Sequence, residues 1–60
     1  MESFNLGDPV VVQGRDFVGE IVYIDYVNRT AEVEWWEYNY HTSANFPMEK
    51  IELLNMKGNK

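Results

Sequence analysis

Residues 31–38 alternate apolar and acidic side chains through their first five positions, in the order Ala-Glu-Val-Glu-Trp. A period of two is typical of a β-strand that has one face in a core and the other in water. We therefore expect a strand at 31–38, with its apolar side chains buried and with Glu32 and Glu34 in solvent. A second tryptophan follows the first, so Trp36 either breaks the alternation or lies on the outer side of the strand beside these two carboxylates.

Other short segments are rich in β-branched or aromatic residues and are bounded by residues that form turns. They predict strands at 10–13, 20–26 and 51–54, with a one-turn 3₁₀ helix at 47–50 ahead of the last strand.

Two segments predict irregular structure. Residues 15–18 lie between two glycines and are expected to form a loop or a bulged approach to the next strand. Residues 39–45 are polar and turn-prone, so we expect a loop there, with room for part of a fourth strand.

The chain has 60 residues and no cysteine, so one small domain must be held together mainly by packing. Five short strands and one helical turn fit a small all-β barrel, because closure removes the edges that so small a sheet could not protect. An open three-stranded sheet is the alternative. We expect the barrel to span residues 1–54 and residues 55–60 to form a flexible tail.

The hydropathy pattern predicts a cytoplasmic protein that does not enter a membrane. No stretch approaches the roughly 20 apolar residues that a membrane span needs. The N-terminal residues are acidic, unlike the basic start of a signal peptide.

Negative charge is concentrated in the first part of the chain. Residues 1–49 carry nine carboxylates against two arginines, whereas residues 50–60 carry three lysines against one glutamate. Phosphate neutralisation by Lys and Arg dominates binding to nucleic acid, so binding to RNA or DNA is disfavoured. The acidic surface either keeps a small protein soluble or attracts a basic partner.

The order of short motifs along residues 7–54 resembles the small SH3-like barrels of the KOW and Tudor type. Gly-Asp-Pro-Val-Val-Val at 7–12 is followed by Gly-Glu-Ile-Val-Tyr-Ile at 19–24, by the alternating segment and by a closing segment at 46–54. The resemblance implies a five-stranded barrel with a single 3₁₀ turn before the last strand. For KOW modules it implies RNA or ribonucleoprotein partners, and for Tudor modules a methylated cation held in an aromatic cage. Candidate cage residues are Tyr23, Tyr26, Trp36, Tyr38 and Tyr40, with Asp25 or Glu34 as the carboxylate.

The adjacent tryptophans are the most informative candidates for a site. Neighbouring side chains on a strand point to opposite faces, so the alternation predicts that Trp35 is buried and Trp36 exposed. The same parity places other apolar side chains outside, which predicts an exposed apolar patch with acidic neighbours. The candidate partner-binding residues are Val11, Val22, Tyr26, Glu32, Glu34, Trp36, Glu37 and Tyr38. The alternative is that so small a chain lacks the interior to hide nine aromatic residues, or that residues 39–46 fold over them.

No residue pattern indicates catalysis. His41 precedes Thr42 and Ser43, but neighbours on an extended chain point to opposite sides, and no Asp lies nearby to orient the ring. The chain also lacks a Gly-rich phosphate loop, and one histidine without cysteines cannot build a metal site alone. We expect no enzyme activity, no cofactor and no metal.

We expect a non-catalytic module that docks on a basic partner protein, in one version as an inhibitor or accessory factor of a machine that handles nucleic acid. The alternative is a KOW-like RNA, DNA or ribonucleoprotein-binding module, with Arg15, Arg29 and the C-terminal lysines on phosphates and exposed rings as stacking platforms. A third hypothesis is a homodimer that forms through the apolar patch.

Overall fold

The computed structural model describes residues 4–54, which form one antiparallel sheet of five strands and one turn of 3₁₀ helix. In chain order the elements are β1 (Pro9–Val12), β2 (Val18–Asp25), β3 (Thr30–Glu37), β4 (Tyr40–Pro47), the 3₁₀ helix (Met48–Lys50) and β5 (Ile51–Leu53). Within the sheet the strands follow the order β4-β3-β2-β1-β5. The prediction of an all-β domain with one 3₁₀ turn before the last strand is confirmed.

The sheet is open in its hydrogen bonding. β4 and β5 are the two end strands, and they are not paired with each other. The structure therefore establishes the five strands but not the closed barrel. The tail predicted at 55–60 lies outside the described residues, as does the start of the predicted domain at 1–3.

No helix within residues 4–54 is both long enough and apolar enough to cross a membrane.

β4 is the largest departure from the sequence-based expectation. The sequence predicts mainly a loop at 39–45, whereas the structure has an eight-residue strand that pairs with β3 along its whole length. A two-residue loop at 38–39 joins the two strands, and Tyr38 has a left-handed backbone with φ of 58°. Turn-prone residues form a strand here because β3 offers a complete row of backbone partners and because Phe46 enters the core.

β2 begins two residues earlier than predicted. Val18 is already paired with Val11 of β1, so the loop predicted at 15–18 ends one residue sooner. The next residue, Gly19, is buried against β3. A Cβ at this position would lie 2.8 Å from the backbone oxygen of Glu34, so only glycine lets the two strands approach this closely.

A bulge in β2 changes which side chains face outward. The register with β3 shifts between Ile21 and Tyr23. After the shift Tyr23 lies opposite Glu32 on the outer side, and Ile24 lies opposite Ala31 on the core side. One extra residue in a strand reverses the alternation that follows it.

The core lies against the inner side of the sheet and is closed by aromatic stacking. Trp35 stacks on Phe17 with ring centroids 3.9 Å apart and planes 5° from parallel, and both rings are tilted against Phe46. The indole N–H of Trp35 donates to Glu37 Oε1 at 3.4 Å. The buried apolar residues are Phe4, Val10, Val12, Ile21, Ala31, Val33, Trp35, Phe46 and Ile51.

Asp25 organises the turn between β2 and β3. Its Oδ1 accepts the backbone N–H groups of Val27 and Asn28, each at 3.1 Å, and its Oδ2 accepts the side-chain amide of Asn28 at 2.8 Å. Arg29 completes the turn with φ of 60°. The backbone and side-chain hydrogen bonds from Asn28, and the weaker bond from Val27, lower the pKa of Asp25 below its ordinary 3.8 because they stabilise the carboxylate.

We predict that Asp25→Asn destabilises the protein at neutral pH and that this difference disappears in acid. The pKa of Asp25 is lower in the folded protein than in the unfolded chain, so as the pH falls the unfolded chain takes up the proton first. The stabilisation is complete above the ordinary pKa of 3.8 and is lost as the pH falls through the lower, folded value. Urea unfolding of both proteins between about pH 7 and pH 2 measures the difference. A difference that stays constant with pH contradicts this role for the carboxylate.

Candidate functional site

The two tryptophans of β3 lie on opposite sides of the sheet. Trp35 is 8% exposed and belongs to the core, whereas Trp36 is 69% exposed. The prediction from the alternation of β3 is confirmed for both side chains. A large indole held in water on a regular strand is the kind of side chain that dominates protein interfaces.

The side of the sheet opposite the core, here called the outer face, brings Trp36 close to carboxylates. Across β2, β3 and β4, Glu20 pairs with Glu34 and Glu34 pairs with Ser43, while Trp36 pairs with His41. Val11 and Val18 pair with each other on the same face. The outer face carries Val11, Val18, Glu20, Tyr23, Glu32, Glu34, Trp36, His41, Ser43, Asn45 and Glu52.

His41 links the exposed tryptophan to a carboxylate. Its Nε2 lies 2.5 Å from Glu34 Oε1, and its ring meets the ring of Trp36 at a centroid distance of 5.2 Å and an angle of 63°. The hydrogen bond orients the ring of His41, and the edge-to-face contact places that ring against Trp36. The outer face therefore presents an exposed indole whose edge contacts the ring of His41.

The acidic side chains of the outer face are close enough to repel one another. Glu20 and Glu34 are directly opposite on β2 and β3, and Glu32 is two residues from Glu34 on the same strand. Like charges opposite each other in a sheet destabilise it. A cation bound at this face would relieve that repulsion, so the face is electrostatically suited to a basic ligand.

The structure does not bring all the candidate binding residues together. Tyr26 lies in the β2–β3 turn and Tyr38 in the β3–β4 turn, at opposite ends of β3. An eight-residue strand is about 25 Å long, so these two tyrosines cannot belong to one small patch. Tyr26 instead lines an open groove together with Phe4 and Met48.

The other candidates divide between the outer face and its borders. Val11 is half-buried on the outer face, and Val22 is exposed at the bulge of β2. Glu32, Glu34 and Trp36 share the outer face as expected. Glu37 is engaged by the indole N–H of the buried Trp35, so it does not belong to the group around Trp36.

Three residues of the outer face lie outside the partner-binding set predicted from the sequence. Tyr23, which is 59% exposed, joins the face only because the β2 bulge reverses the alternation. Val18, which is 56% exposed, is the first residue of β2, whereas the sequence predicts a loop there. The sequence predicts a loop at His41, whereas the two-residue loop at 38–39 places His41 on β4 as the partner of Trp36. Only a two-residue turn predicted at 38–39 would have placed His41 opposite Trp36 from the sequence.

The ring of His41 has an acidic partner that the sequence does not predict, because the carboxylate of Glu34, rather than an Asp, engages its Nε2. Ser43 shares the outer face two residues away, but no hydrogen bond links Ser43 to His41. Within residues 4–54, no three His, Cys, Asp or Glu side chains are grouped so that they could hold a metal ion. The arrangement can position an aromatic ring and attract a cation.

Comparison with models of known protein families, with curated proteins and with solved structures found no match to this chain.

We predict that the same substitution has opposite consequences at the two adjacent tryptophans. Trp35→Ala leaves a large cavity in the core and should cost about 3–5 kcal/mol, which is most or all of the stability of a domain this small. Trp36→Ala removes an exposed ring and should cost about 1 kcal/mol or less. Chemical denaturation followed by circular dichroism measures both. Equal destabilisation by the two substitutions would show that Trp36 is part of the core.

Proposed function

We propose that this protein is a non-catalytic protein-binding module of the SH3-like KOW or Tudor type, and that its outer face docks on a partner with a basic surface. The observation that carries the proposal is Trp36, an exposed indole in contact with His41, whose ring also engages the carboxylate of Glu34 on the same face. An exposed tryptophan supplies a large apolar contact, and the carboxylates select the charge of the partner.

The number of strands and the position of the 3₁₀ turn support the SH3-like part of the proposal. The sheet has five strands, and a one-turn 3₁₀ helix precedes the last strand, as the resemblance implies. The five strands share one core, so packed side chains on the inner side support the exposed face. Fold alone does not determine function, so the binding role depends on the chemistry of the outer face.

The electrostatics of the outer face favour a protein partner over nucleic acid. Glu20 and Glu34 lie on the same face as the exposed ring of Trp36. A nucleic acid whose bases stacked on this ring would bring its phosphates close to these carboxylates, which would repel them. Arg15 packs over the ring of Phe46 at 5.3 Å, outside that face. A basic protein that itself handles nucleic acid is the partner class that suits an acidic docking surface best.

Affinity capture with matched variants tests the proposal. Immobilised wild-type protein, Trp36→Ala, Glu34→Gln and Val27→Ala are exposed to the same lysate, and bound proteins are identified by mass spectrometry. Val27 is exposed in the β2–β3 turn, so Val27→Ala is a matched control for loss of an exposed apolar side chain.

We expect a basic partner that is retained by wild type and by Val27→Ala. Trp36→Ala should weaken its binding at least about 30-fold, as at an interface hot spot. Glu34→Gln should weaken it less, and the loss should shrink as salt is added. Binding that is equal in all four proteins, or restricted to partners without a basic surface, would overturn the proposal.

A further inference from the structure

β4 is an edge strand with unused backbone hydrogen-bonding groups. In an antiparallel pair, alternate residues direct their N–H and C=O groups to the partner strand and away from it. The two-residue loop at 38–39 makes the pair Glu37 and Tyr40 a hydrogen-bonded one, because a β-turn joins its first C=O to its fourth N–H. At the other end of the hairpin, Met48 N–H donates to Arg29 C=O at 2.9 Å. Arg29 and Met48 are therefore also a hydrogen-bonded pair, as the alternation that starts from Glu37 and Tyr40 requires.

This alternation of hydrogen-bonded and non-hydrogen-bonded pairs identifies the backbone groups of β4 that point away from the sheet. They belong to His41, Ser43 and Asn45, whose partners on β3 are the non-hydrogen-bonded ones. Among residues 4–54, β4 pairs with no strand other than β3, and no turn, loop or side-chain hydrogen bond involves the backbone N–H of any of these three residues. Pro47, at the end of β4, belongs to the same alternating set. Its missing N–H costs no hydrogen bond, because an N–H at this position would also point away from β3.

Apart from Pro47 at its end, β4 lacks the features that normally protect a sheet edge. Edge strands are usually short, bulged or charged. β4 has eight residues in unbroken register and no Lys, Arg, Asp or Glu. The other edge, β5, has only three residues. The open edge of the sheet is therefore on the side of the Trp36 and His41 pair.

Carboxylates lie one strand behind the open edge. Ser43 and Asn45 of β4 are small polar residues paired with Glu34 and Glu32 of β3. A strand added beside β4 would lie about 10 Å from β3, and its Lys or Arg side chains could extend across Ser43 and Asn45 to the carboxylates. On the inner side, apolar side chains of the same strand would extend the core beside the half-buried Thr42 and Ala44.

We propose that the partner contributes an extended segment that adds to β4 as a sixth, antiparallel strand, with Lys or Arg at alternate positions on the outer face. The inference rests on the proposed function and specifies its binding mode. Backbone hydrogen bonds hold the segment, and the alternating charge selects it. A second copy of the chain fits less well, because its β4 carries no Lys or Arg and the chain has a net charge of −5.

The test uses a synthetic peptide of about eight residues in which Lys and Val alternate. An antiparallel strand places its Lys residues opposite His41, Ser43 and Asn45, so the Lys amides bond to β4 and the Val amides point away. Two further peptides carry N-methyl groups on either the Lys amides or the Val amides. All three peptides have the same charge, so only backbone bonding distinguishes the two methylated forms.

We expect methylation of the Lys amides to weaken binding at least about tenfold, and methylation of the Val amides to leave it within about twofold. NMR shifts on the protein should centre on β4. Ser43→Pro removes an outward N–H that β3 does not use, so it should weaken the parent peptide while circular dichroism shows a folded protein.

The outcomes separate the binding mode from the proposed function. If both methylated peptides bind as the parent does, strand addition is overturned while docking on the outer face stands. If the parent peptide does not bind, the alternating basic strand is overturned, and the capture experiment with Trp36→Ala decides the proposed function independently. A dimer of the protein alone, abolished by Ser43→Pro, would assign the edge to a second copy instead.

Discussion

The alternation of side chains along β3 is the constraint on which the rest of the structure depends. β3 is paired on both sides, with β2 and β4, so the orientation of its residues determines both faces of the sheet. Val33 and Trp35 face the core, and Glu34 and Trp36 face outward. A slip of one residue would exchange the two tryptophans and place carboxylates in the core, at a cost that a domain of this size could not bear.

Local sequence patterns predict the parts of the fold that are determined locally. The strands, the 3₁₀ turn and the opposite burial of Trp35 and Trp36 follow from periodicity and turn residues. The full extent of β4, the β2 bulge that turns Tyr23 outward, and the contact of His41 with Glu34 do not. Each depends on pairing between strands, and a polar segment carries no signal of the partner that will pair with it. The binding role of the candidate residues stays a prediction.

The acidic face and the open edge are two consequences of the same hairpin. The register of β3 with β4 places His41 against Trp36 and Ser43 against Glu34 on the outer face. The same register directs the backbone of His41, Ser43 and Asn45 away from β3. A partner strand at β4 would therefore meet backbone donors, an exposed indole and carboxylates together. Each of these features lowers the stability or solubility of the free domain, which is typical of a surface kept for binding.

Hydrogen exchange of the β4 amides, followed residue by residue by NMR in dilute protein, tests the β3–β4 register most directly. The amides of Thr42, Ala44 and Phe46 bond to β3 and should exchange slowly. Those of His41, Ser43 and Asn45 face solvent and should exchange at rates close to those of an unfolded chain. Slow exchange at the second set with fast exchange at the first would mean that the hairpin pairs in the opposite phase. That result would contradict both the free edge and the hairpin register on which the outer face depends.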